Sequence, residues 1–218
     1  MTPFCTDIDL LHWEPNILAS ASFASQTLMS GHADLSGTTL TISSGSFADS
    51  HIEPNQVVVL SGGPAGSFPI VSVDSATQLT ISVLFDALFP DTGSPQASPV
   101  GSATNLSFVI ATFWPQRRVI SEILSQAAGI IPGDPRTENA VILNPQVFRR
   151  PCLLGTLQLI YSALSAVPDA PADYATRADM YETLYQRALR STMVDLDFNG
   201  DGQVDSRRRL NTAELVRH

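Results

Sequence analysis

The chain has 218 residues, 44% of them hydrophobic, with a net charge of −9 and no lysine. That length allows one large domain or two small ones, and the apolar fraction is enough for a core. Residues 1–116 hold nine acids and no arginine, whereas residues 117–218 hold twelve acids and twelve arginines; the acidic first half argues against nucleic acid as the main ligand, because phosphate binding needs a basic footprint.

Cys5 and Cys152 are too few and too far apart for a disulfide framework or a metal-ligand spacing, so two reduced thiols are expected, with a single disulfide as the alternative. The N-terminus, MTPFCTDIDLLHWEP, lacks the basic start and apolar run of a secretory signal. The longest apolar stretch, Leu106 to Trp114, is too short to span a bilayer. A soluble protein made in the cytoplasm is expected.

Residues 6–24 predict short helices, with Thr6 as cap, Asp7 and Asp9 at the positive helix end, and Pro15 as an interruption. From about 27 to 90 the texture changes to short apolar runs: Leu40 and Ile42, Gln56 to Leu60, Phe68 to Val73, then Leu79, Ile81 and Val83. Turns such as Gly62-Gly63-Pro64-Ala65-Gly66 separate them, which predicts a small antiparallel sheet closed as a barrel. Residues 90–104 look like a Pro/Gly/Ser/Ala linker, and 105–114 like a strand or an extended approach to a helix.

Pro115 suits the first turn of a helix. Val119, Ile120, Ile123, Leu124, Ala127 and Ala128 then recur at helical spacing, with Arg117, Arg118, Glu122 and Gln126 expected outside. Gly129 and Pro132 end that helix, and Asn144-Pro145 signals the start of the next. Leu153 to Leu164 is apolar nearly all round, as in a central helix. A third helix is predicted from about Pro171 to Val194, striped by Tyr174, Ala178, Tyr181, Leu184, Tyr185, Ala188 and Leu189, with Asp173 placed to pair with Arg177.

The expected fold class is α+β. A helical bundle is formed by residues 1–26 and 105–195, with a β-barrel-like insert plus linker at 27–104. An acidic turn and an extended basic C-terminal arm follow at 196–218.

The acidic turn has calcium-loop spacing. With Asp197 as first ligand, Asn199, Asp201 and Asp205 fall at positions three, five and nine, Gln203 stands at seven, and Gly202 takes the sharp turn at six. Position twelve, normally a bidentate Glu, is Arg208. The loop also resembles dockerin calcium loops, but no second copy is found. Asx-turns explain the same residues without an ion. The cofactor expectation is therefore none, with calcium as the alternative.

No phosphate loop, nucleophile elbow or His-Glu-x-x-His is present, and the four histidines are scattered, so no enzymatic activity is expected. Trp13 and Trp114 are expected as packing anchors. Arg207, Arg208, Arg209 and Arg217 make the last thirteen residues basic in an otherwise acidic protein, which suits docking through the tail on an acidic protein surface.

Asn144-Pro145, Gly155-Thr156-Leu157-Gln158-Leu159-Ile160-Tyr161, the run Met180-Tyr181-Glu182 through Leu184-Tyr185 to Arg187-Ala188-Leu189, and the Asp turn with its Arg tail together resemble the head–tail connector (adaptor) proteins of tailed bacteriophages. The resemblance covers roughly residues 105–210. It implies a structural virion protein in the neck between capsid and tail, forming a ring of about twelve copies and docking on the portal protein by its C-terminal arm. It also implies a downstream tail or stopper protein as neighbour, no membrane partner, and genome DNA passing through the ring without specific recognition. The alternative is a calcium-dependent binding module with the β-barrel as recognition surface.

Overall fold

The alternation of apolar and polar residues in the first half builds a closed six-stranded antiparallel barrel. The strands are β1 (Thr27–Gly37), β2 (Thr39–Ile42), β3 (Val57–Ser61), β4 (Gly66–Val73), β5 (Gln78–Ile81) and β6 (Gly101–Ala111), arranged in the order β1-β2-β5-β4-β3-β6. Ala33, Leu35, Leu40, Ile42, Val58, Leu60, Ile70, Leu79, Ile81, Leu106, Phe108 and Ile110 turn inward, because successive residues of a strand face opposite sides. Phe47 and Ile52, from the connection between β2 and β3, complete this core, and the Phe47 and Phe108 rings lie 6.3 Å apart.

In this computed structural model the described residues are 2–20, 23–84, 97–131, 134, 137, 140–168 and 170–210. The chain divides into two compact units, one of residues 6–113 and one of residues 1–5 with 114–218. These boundaries correct those expected from the sequence. Residues 101–111 are neither linker nor part of the helical region: they form β6, which closes the barrel by pairing with both β1 and β3. The two short helices, α1 (Asp7–Trp13) and α2 (Ile17–Ser20), also belong to the barrel unit.

Thr6 caps α1 in a reciprocal box: its hydroxyl accepts from Asp9 N at 3.3 Å, and its own N–H donates to Asp9 Oδ2 at 2.7 Å. Asp7 does more than complement the helix dipole. It is fully buried, and its carboxylate accepts from the Thr112 hydroxyl at 2.7 Å and from Phe113 N at 3.0 Å. One side chain thus ties the entry of this unit to its exit. Between β1 and β6 the register shifts near Leu35, where Asn105 adopts a left-handed φ of 54° and donates its N–H to Asp34 Oδ1 at 2.8 Å.

The second unit contains α3 (Trp114–Ala127), α4 (Arg149–Ser165) and α5 (Asp173–Ser191), with a three-stranded antiparallel sheet of β7 (Val141–Ile142), β8 (Met193–Asp197) and β9 (Ser206–Arg209). α4 packs against both α3 and α5. Its residues from Pro151 to Leu157, with Ile160 and Tyr161, are buried. Pro151 sits in the first turn, where a missing N–H costs nothing, so it neither kinks nor splits the helix. Gly155 lies where both neighbours come closest: a Cβ there would stand 3.0 Å from Ile120 and 3.1 Å from Tyr185. Tyr161 stacks on Tyr181 at 5.6 Å and receives a hydrogen bond from Arg177 at 3.0 Å, and Arg177 pairs with Asp173 at 3.4 Å. Asn144 stands at the N-cap of the 3-10 turn Pro145–Phe148 that leads into α4, but its side chain makes no capping hydrogen bond. Its amide accepts from Asp195 N at 2.9 Å and donates to Met193 O at 3.3 Å, fastening the start of α4 to β8.

Among the described residues no helix is long and apolar enough to cross a membrane. Trp13 and Trp114 are each 43% exposed, so neither is the packing anchor expected of it.

Phe108 fills the centre of the barrel core. Phe108→Ala is expected to destabilise the barrel unit by about 3–5 kcal/mol, measured by urea unfolding. A loss below about 1 kcal/mol would mean that the barrel interior does not depend on this ring.

Candidate functional site

The Asp-rich segment and the arginines after it are one β-hairpin. β8 and β9 pair antiparallel, with Val194 opposite Arg208 and Asp195 opposite Arg207, and residues 198–205 turn between them. Val194 and Leu196 are fully buried, and Leu210 is nearly so. The chain therefore does not leave the folded body at Val194, and the segment expected as an extended arm from 196 onward belongs to a hairpin as far as Arg209. Local alternation explains it: Val194 and Leu196 point into the unit while Met193 and Asp195 point away from it.

Asp197 organises the turn. It is 1% exposed; Oδ1 accepts from Asn199 N at 3.1 Å and Gly200 N at 2.7 Å, and Oδ2 from Gly202 N at 2.7 Å. Burial pushes this carboxyl up, but the backbone N–H groups led by that of Gly202 outweigh it and hold it below the usual carboxylate range. The pattern repeats along the turn. Asn199 Oδ1 accepts from Asp201 N at 2.9 Å, Asp201 Oδ1 from Gln203 N at 2.8 Å, and Asp205 Oδ2 from Phe198 N at 2.8 Å. Gly200 and Gly202 take φ of 77° and 81°, which their lack of a Cβ permits.

The calcium-spaced residues Asp197, Asn199, Asp201 and Asp205 thus turn oxygens toward the chain's own amides, and Gln203 is exposed. The loop joins two strands where a helix–loop–helix site joins two helices, and Val204, at the apolar eighth position, is 49% exposed. Among the described residues no group of three or more His, Cys, Asp or Glu side chains is arranged to hold a metal ion.

The arginines separate by role. Arg207 forms a two-pronged pair with Asp195, Nε to Oδ1 at 2.5 Å and Nη2 to Oδ2 at 3.3 Å. Arg208 is half-buried; its guanidinium lies over the Phe198 ring at 5.6 Å and against Gly129, which ends α3 with a φ of 92°. A Cβ on Gly129 would collide with Arg208 Nη1. Arg208 thus puts positive charge beside the C-terminal end of α3, where the helix dipole favours it. Arg209 is exposed at the end of β9, and Arg217 lies outside the described residues. Arg207 and Arg208, expected in the docking triplet, are thus engaged within their own unit.

The sequence reading also misjudged α3. Its apolar positions fall in two adjacent stripes four residues apart, 120/124/128 and 119/123/127, and one helix face buries only one of them. Ile120, Leu124 and Ala128 are buried, whereas Val119 and Ile123 are 47% and 46% exposed and Ala127 is exposed. Arg117, expected outside, is buried and donates from Nη1 to Cys5 O at 2.8 Å. Trp114 shares the exposed side, with the Arg118 guanidinium 5.3 Å from its ring. The width of the apolar arc was the signal that one stripe had to remain uncovered.

On the barrel, His32, Ala33, Asp34, Thr41, Ser43 and Asn105 line an open recess of about 160 Å³, small beside the ~300–1,000 Å³ of small-molecule sites.

No protein-family model matches this chain, and neither a curated protein nor a solved structure matches it.

The lowered Asp197 carboxyl has a sign. Its stabilising effect is complete above the unfolded value, about 4, and is lost as pH falls through the lower folded value. Asp197→Asn is expected to lower the melting temperature at pH 7 and to flatten its decline as pH falls below about 4. Thermal melts across that range test this; an unchanged acid limb would remove Asp197 as organiser of the turn.

Proposed function

We propose that the chain is a structural assembly protein, a connector subunit that forms a ring between the portal and the tail of a tailed bacteriophage. The observation that carries this reading is the distribution of uncovered apolar side chains. Among the described residues, the large hydrophobics that stay exposed are Trp13 in the barrel unit and Trp114, Val119, Ile123, Ile131, Val141, Val167, Met180, Met193 and Val204 in the helical one. Exposed apolar groups concentrated on one part of a protein mark a contact surface, and Val119 with Ile123 repeats along α3 as a helix-borne contact would.

The helical unit is also where the resemblance to connector proteins lies, and in this reading it supplies the bundle that builds the ring. A ring closes when one surface of each copy meets a different surface of the next. The α3 stripe is one such surface. Portal docking then falls to the segment after Leu210, which includes Arg217. The acidic first half disfavours adhesion to DNA passing through the ring.

Two aspartates on the stripe separate assembly from folding. Val119→Asp with Ile123→Asp is expected to abolish rings formed with portal protein, seen by negative-stain microscopy, while shifting the melting temperature by only a few degrees, since both side chains are exposed. Rings of unchanged abundance would overturn the role of α3. Ending the chain after Leu210 keeps β9 and is expected to abolish portal capture in a pull-down; equal capture would overturn the docking segment. Calcium is expected to leave the melting temperature unchanged, and a rise at micromolar ion would favour the calcium-dependent module instead.

A further inference from the structure

The helical unit begins with five residues that are separated in sequence from the rest of it. Three contacts hold them in place. The Phe4 ring stacks on Phe148 at 4.6 Å and 19°, Phe4 N donates to Ser121 Oγ at 3.0 Å, and Arg117 donates to Cys5 O at 2.8 Å. These contacts deliver Cys5 to the side of α4. Its Sγ stands 2.8 Å from Sγ of Cys152, a residue 147 positions away, and both thiols are buried.

We infer that Cys5 and Cys152 form a covalent modification site, an intrachain disulfide closed by oxidation of the folded protein, which fastens the N-terminal segment to α4. The physical basis is proximity. A disulfide requires sulfurs at ~2.05 Å from side chains that already face each other, and folding has brought this pair together, so closure needs only a small side-chain adjustment.

The surroundings favour the chemistry. Cys152 is surrounded by hydrogen-bonding groups: the Cys5 thiol, Ser121 Oγ at 3.4 Å and the Arg117 carbonyl at 3.8 Å. The hydrogen bond from Cys5 is the main cause that lowers the Cys152 thiol below its ordinary range; burial opposes it, and Ser121 and Thr156 assist. Cys152 therefore supplies thiolate more readily, and the thiolate is the attacking species.

The step balances with a small-molecule disulfide as oxidant. When the segment before Cys5 lifts, the Cys152 thiolate attacks one sulfur of that disulfide, forming a mixed disulfide and releasing one small thiolate. The Cys5 thiolate then attacks the Cys152 sulfur and releases the second. The two protein thiols lose two electrons and two protons, and the small disulfide becomes two thiols. The segment can admit the oxidant because Thr2 is exposed and Pro3 and Phe4 are only half-buried. Residues 6–113 lie wholly within the loop that the new bond would close.

The experiment uses the full chain and oxidised glutathione. Native protein is incubated with the oxidant, quenched with iodoacetamide, unfolded and digested without reductant. The expected result is a linked peptide pair containing Cys5 and Cys152, two hydrogens lighter than the separate peptides, with both thiols lost to alkylation. The melting temperature of the wild-type chain is expected to rise by about 5–15 °C, reversed by dithiothreitol. Cys5→Ser is expected to give no such rise. Thiols that remain fully alkylatable, a glutathione adduct on Cys152 that never resolves, or a disulfide between two chains would each overturn the inference. The peptide map reads the wild-type chain directly, so it decides even where a serine variant fails to fold.

Discussion

Gly155 sets the spacing of the helical unit. With no side chain at this position, Ile120 of α3 and Tyr185 of α5 both close on the backbone of α4, and a single methyl group would press on each. The close approach makes α4 an interior helix, buried through Leu157 and again at Ile160 and Tyr161. Its neighbours on one turn, Cys152 and Thr156, are buried with it, and the N-terminal residues reach it there. Because α4 is spent on the core, the outward surface of the unit falls to α3, α5 and the sheet. α3 carries more apolar residues than one buried face can use, and Val119 and Ile123 are left exposed.

The barrel was legible because period-two patterning is local. Leu40 and Ile42, Val58 and Leu60, and Leu79 and Ile81 each announce an inward face within four or five residues. The closing strand was not legible in the same way. Leu106, Phe108 and Ile110 alternate well, but their partners on β1 are more than seventy residues upstream, and Gly101 to Asn105 continue the polar, small-residue texture of the preceding segment. Pairing over that distance leaves no mark in a short window. The domain boundary therefore slipped from Phe113 back to 104, and α1 with α2 went to the wrong unit.

The C-terminal region shows the opposite limit. The spacing of Asp197, Asn199, Asp201 and Asp205 was read correctly as a tight turn with special backbone needs, yet composition does not say who satisfies a carboxylate. Here main-chain N–H groups do, and Asp197 alone accepts three of them. The run of arginines was likewise visible as charge but not as geometry. Strand pairing sets Arg207 beside Asp195, and the left-handed glycine ending α3 makes room for Arg208. Two of the arginines that looked available for a partner, Arg207 and Arg208, are engaged with the hairpin and the adjoining helix end.

Asp7 has a consequence of a different kind. By holding Thr112 and Phe113 beside the first turn of α1, it brings the two ends of a 6–113 segment together. A cassette with adjoining ends asks little of its host, which has only to bridge a short gap when the cassette is gained, exchanged or lost. The barrel is thus physically suited to change hands between lineages while the helices around its insertion point keep their shape, so related chains with another module, or a simple turn, between Cys5 and Trp114 would be an unsurprising product of evolution.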